Sequence, residues 1–188
     1  MKPEAFHPLA RLLHWLMAVL IVAMLFIGVS MVSDLSLRHP VLLSLHKATG
    51  LALLVLVVLR IGLRLALPHP PLPRDLPRLQ RFAAGASHVL LYGLMLAMPL
   101  LGWAMLSAGG YPRPLQLPAI APHDLQLYAV LRQAHGWAGY LLFATILVHL
   151  GAALMHALVR RDGVLRSMWP GPCVAANKPV RFRAFDNR

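Results

Sequence analysis

The chain has 188 residues, 59% of them hydrophobic and only 13% charged, with a mean hydropathy of +0.65. That composition excludes an ordinary soluble domain of this length and points to an integral membrane protein. The formal charge of +12 is accounted for by basic loops beside anionic lipid, so no nucleic-acid partner is called for.

Four runs nearly free of Asp, Glu, Lys and Arg reach the length of about 20 residues that a membrane-crossing helix needs. The first covers residues 12–33. It follows a basic start, as a signal peptide does, but it is long for such a core, lacks a small-residue cleavage site and carries His14 beside Trp15 at its mouth. It is therefore read as a retained helix. The second run, 41–67, has Lys47 near one end and Arg60 and Arg64 near the other, where charged heads can snorkel to the interface. After it, "LPHPPLPRDLPRLQR" reads as extended chain lying along the headgroups. The third run covers 82–108. The connection 107–132 is the longest; it opens on the breaker-rich "SAGGYPRPLQLPAIAPHD", and "DLQLYAVLRQ" reads as the start of a short surface helix capped by Asp124. The fourth run covers 133–159.

These runs predict an all-α membrane protein, a four-transmembrane-helix bundle forming one domain over residues 1–171, with a basic tail over 172–188. Cys173 is the lone cysteine and can form neither an internal disulfide nor a thiolate metal site. Of the 18 Lys and Arg residues, fourteen fall on the side of the termini and four (Arg38, Lys47, Arg113, Arg132) on the other. The positive-inside rule then places both termini, and the tail, in the cytoplasm.

The six acidic residues (Glu4, Asp34, Asp75, Asp124, Asp162, Asp186) all lie outside the four runs. Proton pumps and cation transporters usually need intramembrane carboxylates, so that class loses weight. Zinc hydrolysis is disfavoured too: HExxH is missing, and no carboxylate could serve as a base beside a buried histidine.

Histidines, by contrast, do enter the spans, where an unengaged imidazole is costly. His149 lies fourteen residues after His135, about 40° off the same helix face and about 21 Å further along the axis; His156 is about 20° further round and about 10 Å deeper. Buried imidazoles without carboxylates suit haem, an apolar macrocycle whose iron takes one or two neutral imidazoles. Two haems need four ligands. His46, at the outer end of the second span, matches His135 in depth and makes one outer site. The inner site joins His14 to the fourth span, where depth leaves His149 and His156 both open; His88 lies near the inner end of the third span. Any one of these histidines could instead make an interhelical hydrogen bond. The same-face pair, with depth-matched partners on two other helices, is what favours haem. His7, His39, His69 and His123 fall in tails or loops and read as solvated, and the four Trp residues fall at segment ends, as interfacial belts do.

The motifs "LLHWLMA", "LHKATGLALLVLVVLRIGLRL", "ASHVLLYGLMLAMPLLGW", "AHGWAGYLLFATILVHLGAALMH" and "RRDGVLRSMWPG", in this order and spacing, resemble the bacterial cytochrome b561 family over residues 8–171. The resemblance implies a four-helix bundle of the bacterial inner membrane with two haem b groups. It implies His14 and His149 as the inner axial pair and His46 and His135 as the outer pair, with His156 beside them or on the quinone side. Family members exchange electrons with ubiquinone, and one branch oxidises superoxide. The function so implied is electron transfer between a periplasmic reductant, superoxide among the candidates, and the ubiquinone pool, a superoxide:ubiquinone oxidoreductase. The rival readings are a membrane subunit relaying electrons for a separate dehydrogenase or periplasmic redox partner, and a non-redox haem carrier. Shared depth suggests a quinone headgroup docked among His156, His88, Arg78 and Arg81. Lys47, next to His46, and Arg132, near His135, are candidates for steering a small anion. Membrane lipid, quinone and a periplasmic donor are the expected partners.

Overall fold

The structure, a computed structural model, describes residues 5–33, 38–71, 73 and 75–169. The tail at 172–188, with Cys173, lies outside the described residues. Helix α1 spans Pro8–Ser33, α2 His39–Ala66, α3 Arg78–Ala108 and α4 Leu125–Leu154; a π-helical turn, Met155–Arg160, prolongs α4, and a short α5 covers Val164–Met168. Four of these helices are long and apolar enough to cross a membrane, and among the described residues there is no strand. Hydrocarbon offers no partner to backbone N–H and C=O groups, and a helix satisfies them within itself.

The helices outrun the apolar runs at their polar ends. Arg78 and Arg81 lie in the first turn of α3, not in extended chain. Asp124 does cap a helix, its Oδ1 accepting from the Gln126 and Leu127 amides at 2.7 and 3.0 Å, but that helix is α4 itself and not a separate surface helix. Nothing in 125–132 breaks the backbone ladder, so one cap starts the whole span.

The close helix pairs are α1–α2, α2–α3 and α3–α4. Their seam is Met17 and Ile21 of α1, Leu53 and the fully buried Val57 of α2, Leu91 and Leu94 of α3, and Leu142 of α4. Large apolar side chains such as Phe26, Val89 and Val148 point outward, as they do where lipid is the solvent. Inside the helices, Ser107 and Thr145 return their hydroxyls to the carbonyls of Trp103 and Leu141. Pro99 of α3 brings no N–H to the Met95 carbonyl, an interruption that membrane helices tolerate when neighbours pack around it.

The two ends of the bundle differ. At the loop end, residues 109–124 are pinned across the helices: Trp103 Nε1 donates to Pro118 O at 2.9 Å, Lys47 Nζ to Pro112 O at 3.2 Å and the Asp124 amide to Ala108 O at 3.0 Å. His123 is tied here as well, Nδ1 lying 2.9 Å from Ala108 O, so it is not simply solvated. The close approach needs Gly109, where a Cβ would come within 2.5 Å of the Tyr111 ring. His39 opens α2 half-buried instead of lying in a solvated loop. At the opposite, arginine-rich end, α5 folds back on α1: Trp15 Nε1 donates to Met168 O at 2.9 Å and Arg11 to Trp169 O at 2.8 Å.

Candidate functional site

Imidazoles meet at two depths along α4. Towards the loop end, the His46 ring of α2 and the His135 ring of α4 meet edge-on with centroids 6.0 Å apart. Towards the basic end, the His14 ring of α1 and the His149 ring of α4 stand 6.4 Å apart. These helix pairs, α2–α4 and α1–α4, are not among the close-packed ones. The rings therefore face one another across wider gaps than those that hold the seam. Small residues back them. A Cβ on Gly28 of α1 would lie 3.7 Å from His46 Cε1, and one on Gly102 of α3 would lie 3.5 Å from His135 Cε1.

His88 of α3 stands by the basic-end pair, its centroid 5.4 Å from that of His149, with Nδ1 donating to Ala84 O at 2.7 Å. Arg60 of α2 reaches the same cluster, Nη2 lying 3.0 Å from His14 Nδ1 and Nη1 donating to Ala10 O at 3.3 Å. The snorkelling expected of Arg60 is thus only part of its role; it ties α2 to α1 at the histidine level.

His156 falls elsewhere. It lies in the π-helical turn and, with Arg161, Arg166 and Trp169, lines a cleft of about 430 Å³ between that turn and α5. Its Nδ1 is 2.5 Å from Asp162 Oδ2, which also accepts from Arg160 Nε at 3.2 Å; Arg160 Nη2 in turn reaches Asp75 at 2.6 Å. The expectation that His88, Arg78 and Arg81 share this site needs correction. None of the three lines the cleft: His88, ten residues into α3, sits about 15 Å along the axis from Arg78, level with His149, and Arg81 turns back to Leu76 O.

Asp162 lies just beyond the last span. Burial raises its pKa, but hydrogen bonds from His156, the Val164 amide and Arg160, with the charge of His156, outweigh that and hold it below its ordinary 3.8. A depressed carboxylate stabilises the fold above its unfolded pKa, and this is lost as pH falls through the folded value. The turn carrying α5 should therefore loosen on acidification below 3.8. Amide exchange at Val164, whose N–H donates to Asp162 Oδ1 at 3.2 Å, would report it, and Asp162→Asn should remove the pH dependence.

Comparison with known proteins bears on what the ring pairs hold. Residues 5–171 match the model of prokaryotic cytochrome b561. The chain belongs to the prokaryotic cytochrome b561 family. It is 29% identical to the cytochrome b561 homolog 2 of Escherichia coli over 88% of this chain and 92% of that one. It is 30% identical to the probable superoxide oxidase CybB of Yersinia pestis over 84% of this chain and 92% of that one. A 31% identical match to the Escherichia coli cytochrome b561 homolog 1 covers 66% of this chain. This is therefore a bacterial membrane cytochrome b, and the family implies haem b.

The side chains suit that group. An imidazole nitrogen bonds a transition metal at about 2 Å, so two rings ligating one iron from opposite faces have centroids about 6 Å apart, as both facing pairs do. Among the described residues, His46 Nδ1 is buried without a hydrogen-bond partner, a cost in apolar surroundings that engagement of the ring offsets.

Proposed function

We propose that this protein carries electrons across the bacterial inner membrane through two haem b groups, from a one-electron donor at the loop end to ubiquinone at the basic end. The observation that carries the reading is the pair of facing imidazole sets, 6.0 and 6.4 Å apart, at two depths on one stripe of α4. His46 and His135 would hold one haem, His14 and His149 the other. Bound haem supplies reversible one-electron transfer; the chain contributes ligation, orientation and a low dielectric. The basic end faces the cytoplasm in this reading, as its excess of arginines favours.

The His156 cleft is the proposed quinone site. Its volume of about 430 Å³ falls within the range of small-molecule sites, and imidazole and guanidinium groups line it for the carbonyl oxygens of a headgroup. Superoxide is the proposed donor, supported by the 30% identity to a probable superoxide oxidase. Stopped-flow mixing of superoxide with the oxidised protein tests the reading. Haem reduction should be rapid, and added short-tail ubiquinone should reoxidise it; an oxidised haem spectrum that superoxide leaves unchanged would refute superoxide as donor.

Charge near the loop end gives a further expectation. Lys47 adjoins His46, its ammonium held by Pro112 O, and Arg132 is exposed three residues before His135, while the nearby Asp124 carboxylate is engaged as the α4 cap. Such cations would raise the encounter rate of a small anion. Reduction by superoxide should slow as ionic strength rises and slow severalfold more in Lys47→Gln or Arg132→Gln, with haem content unchanged. A rate indifferent to salt and to both substitutions would favour a protein donor.

A further inference from the structure

On the quinone reading of the His156 cleft, proton supply there turns on one side-chain contact. A carboxylate can only accept, so the hydrogen in the 2.5 Å contact between His156 Nδ1 and Asp162 Oδ2 belongs to Nδ1. This fixes the tautomer. In the neutral ring Nε2, the nitrogen left for the cleft, carries no hydrogen and can only accept; donation from Nε2 requires the imidazolium. A quinone presents carbonyl oxygens, which only accept, and a quinol presents hydroxyls, which donate. The imidazolium thus suits the oxidised ligand and the neutral ring the reduced one.

The surroundings make Asp162 necessary for this alternation. Arg161 and Arg166 line the cleft with His156, and Arg160 lies in the same turn, bridged to Asp162 and to Asp75 of the α2–α3 connection. From α1, Arg11 reaches the same corner through Trp169 O. These guanidinium groups make the corner cationic. The Asp162 carboxylate, in direct contact with the ring, offsets them.

We propose that His156 and Asp162 form a proton-delivering pair for quinone reduction, His156 as the proton donor and Asp162 as the residue that positions and charge-balances it. As electrons arrive from reduced haem, the His156 Nε2–H bond breaks and an O–H bond forms at the facing quinone oxygen, leaving a neutral ring that still donates Nδ1–H to Asp162. Nε2 then regains a proton from water at the basic end. Quinone takes up two electrons and two protons in all; one proton comes by this route and the other from the aqueous phase.

The test uses the full-length, haem-loaded protein with short-tail ubiquinone, following haem reoxidation against quinone concentration. His156→Gln keeps a hydrogen-bond donor but has no transferable proton. Its maximal rate should fall at least tenfold with less than a threefold change in half-saturating concentration, and millimolar imidazole should restore part of the rate. Asp162→Asn should lower the maximal rate severalfold with haem content and helicity unchanged. Unchanged maximal rates in both variants, with half-saturation shifted in His156→Gln, would overturn the proton-delivery proposal while leaving quinone at the cleft. If neither rate nor half-saturation changes in either variant, the cleft is not the quinone site and both readings fall.

Discussion

His149→Ala should leave the protein with about one haem per chain instead of about two. His149 is the hub of the basic-end cluster: the His14 ring stands 6.4 Å from it and the His88 ring 5.4 Å, so neither has a facing partner once the imidazole is gone. His14→Ala is a subtler case, because His88 already lies against His149 and is the nearest stand-in. A second haem retained in His14→Ala but lost in His14→Ala combined with His88→Ala would identify that substitution. The loop-end pair lies about 21 Å away along α4 and should keep its haem throughout. A pyridine haemochrome assay on protein of unchanged helicity reads the result, and two haems per chain in His149→Ala would contradict the ligand assignment.

The second large effect is expected at the loop end. His46→Ala removes the partner of His135, and with it the carrier nearest the donor. Disturbing groups around a metal site costs 10–100-fold, and losing a ligand should cost more, so reduction of the remaining haem by superoxide should slow about 100-fold or more. Spectra in the chemically reduced state should still show the basic-end haem. If the remaining haem were reduced at the wild-type rate, electrons would be entering without the His46–His135 pair. Gly102→Leu is the milder companion: a side chain grown from a position whose Cβ would lie 3.5 Å from His135 must press on that ring, lowering loop-end haem occupancy without deleting a ligand.

The four spans and the stripe of His135 and His149 were legible in the sequence because both are one-dimensional properties: apolar length, and a helical period of 3.6 residues, which the π-helical turn breaks before it reaches His156. Depth matching likewise brought His46 to His135, and the structure sets those rings edge-on with centroids 6.0 Å apart. The start of α4 was not legible, since 125–132 is polar enough to read as a surface piece although the Asp124 cap runs directly into the span. Sequence depth places His88 near the inner end of the third span with Arg78 and Arg81, but α3 begins at Arg78 and carries His88 ten residues along, to the level of His149. Arg60 meeting His14 depends on the azimuth of α2 against α1, which periodicity alone does not set. The Asp162 contact depends on a π-helical turn followed by positive φ at Arg161 and Gly163, which folds the chain back on His156. Such turns often mark functional sites in helices, and the "RRDG" after the last apolar run was the one local signal of it.

The central claim is that the two imidazole pairs act in series across the bilayer. Its most direct test is transfer through vesicles that carry the haem-loaded protein, with ferricyanide trapped inside and a membrane-impermeant reductant outside. The account predicts that the trapped ferricyanide is reduced through the wild-type protein, and that transfer falls to the level of protein-free vesicles in His46→Ala and in His149→Ala alike. Transfer at the wild-type rate in either variant would contradict it.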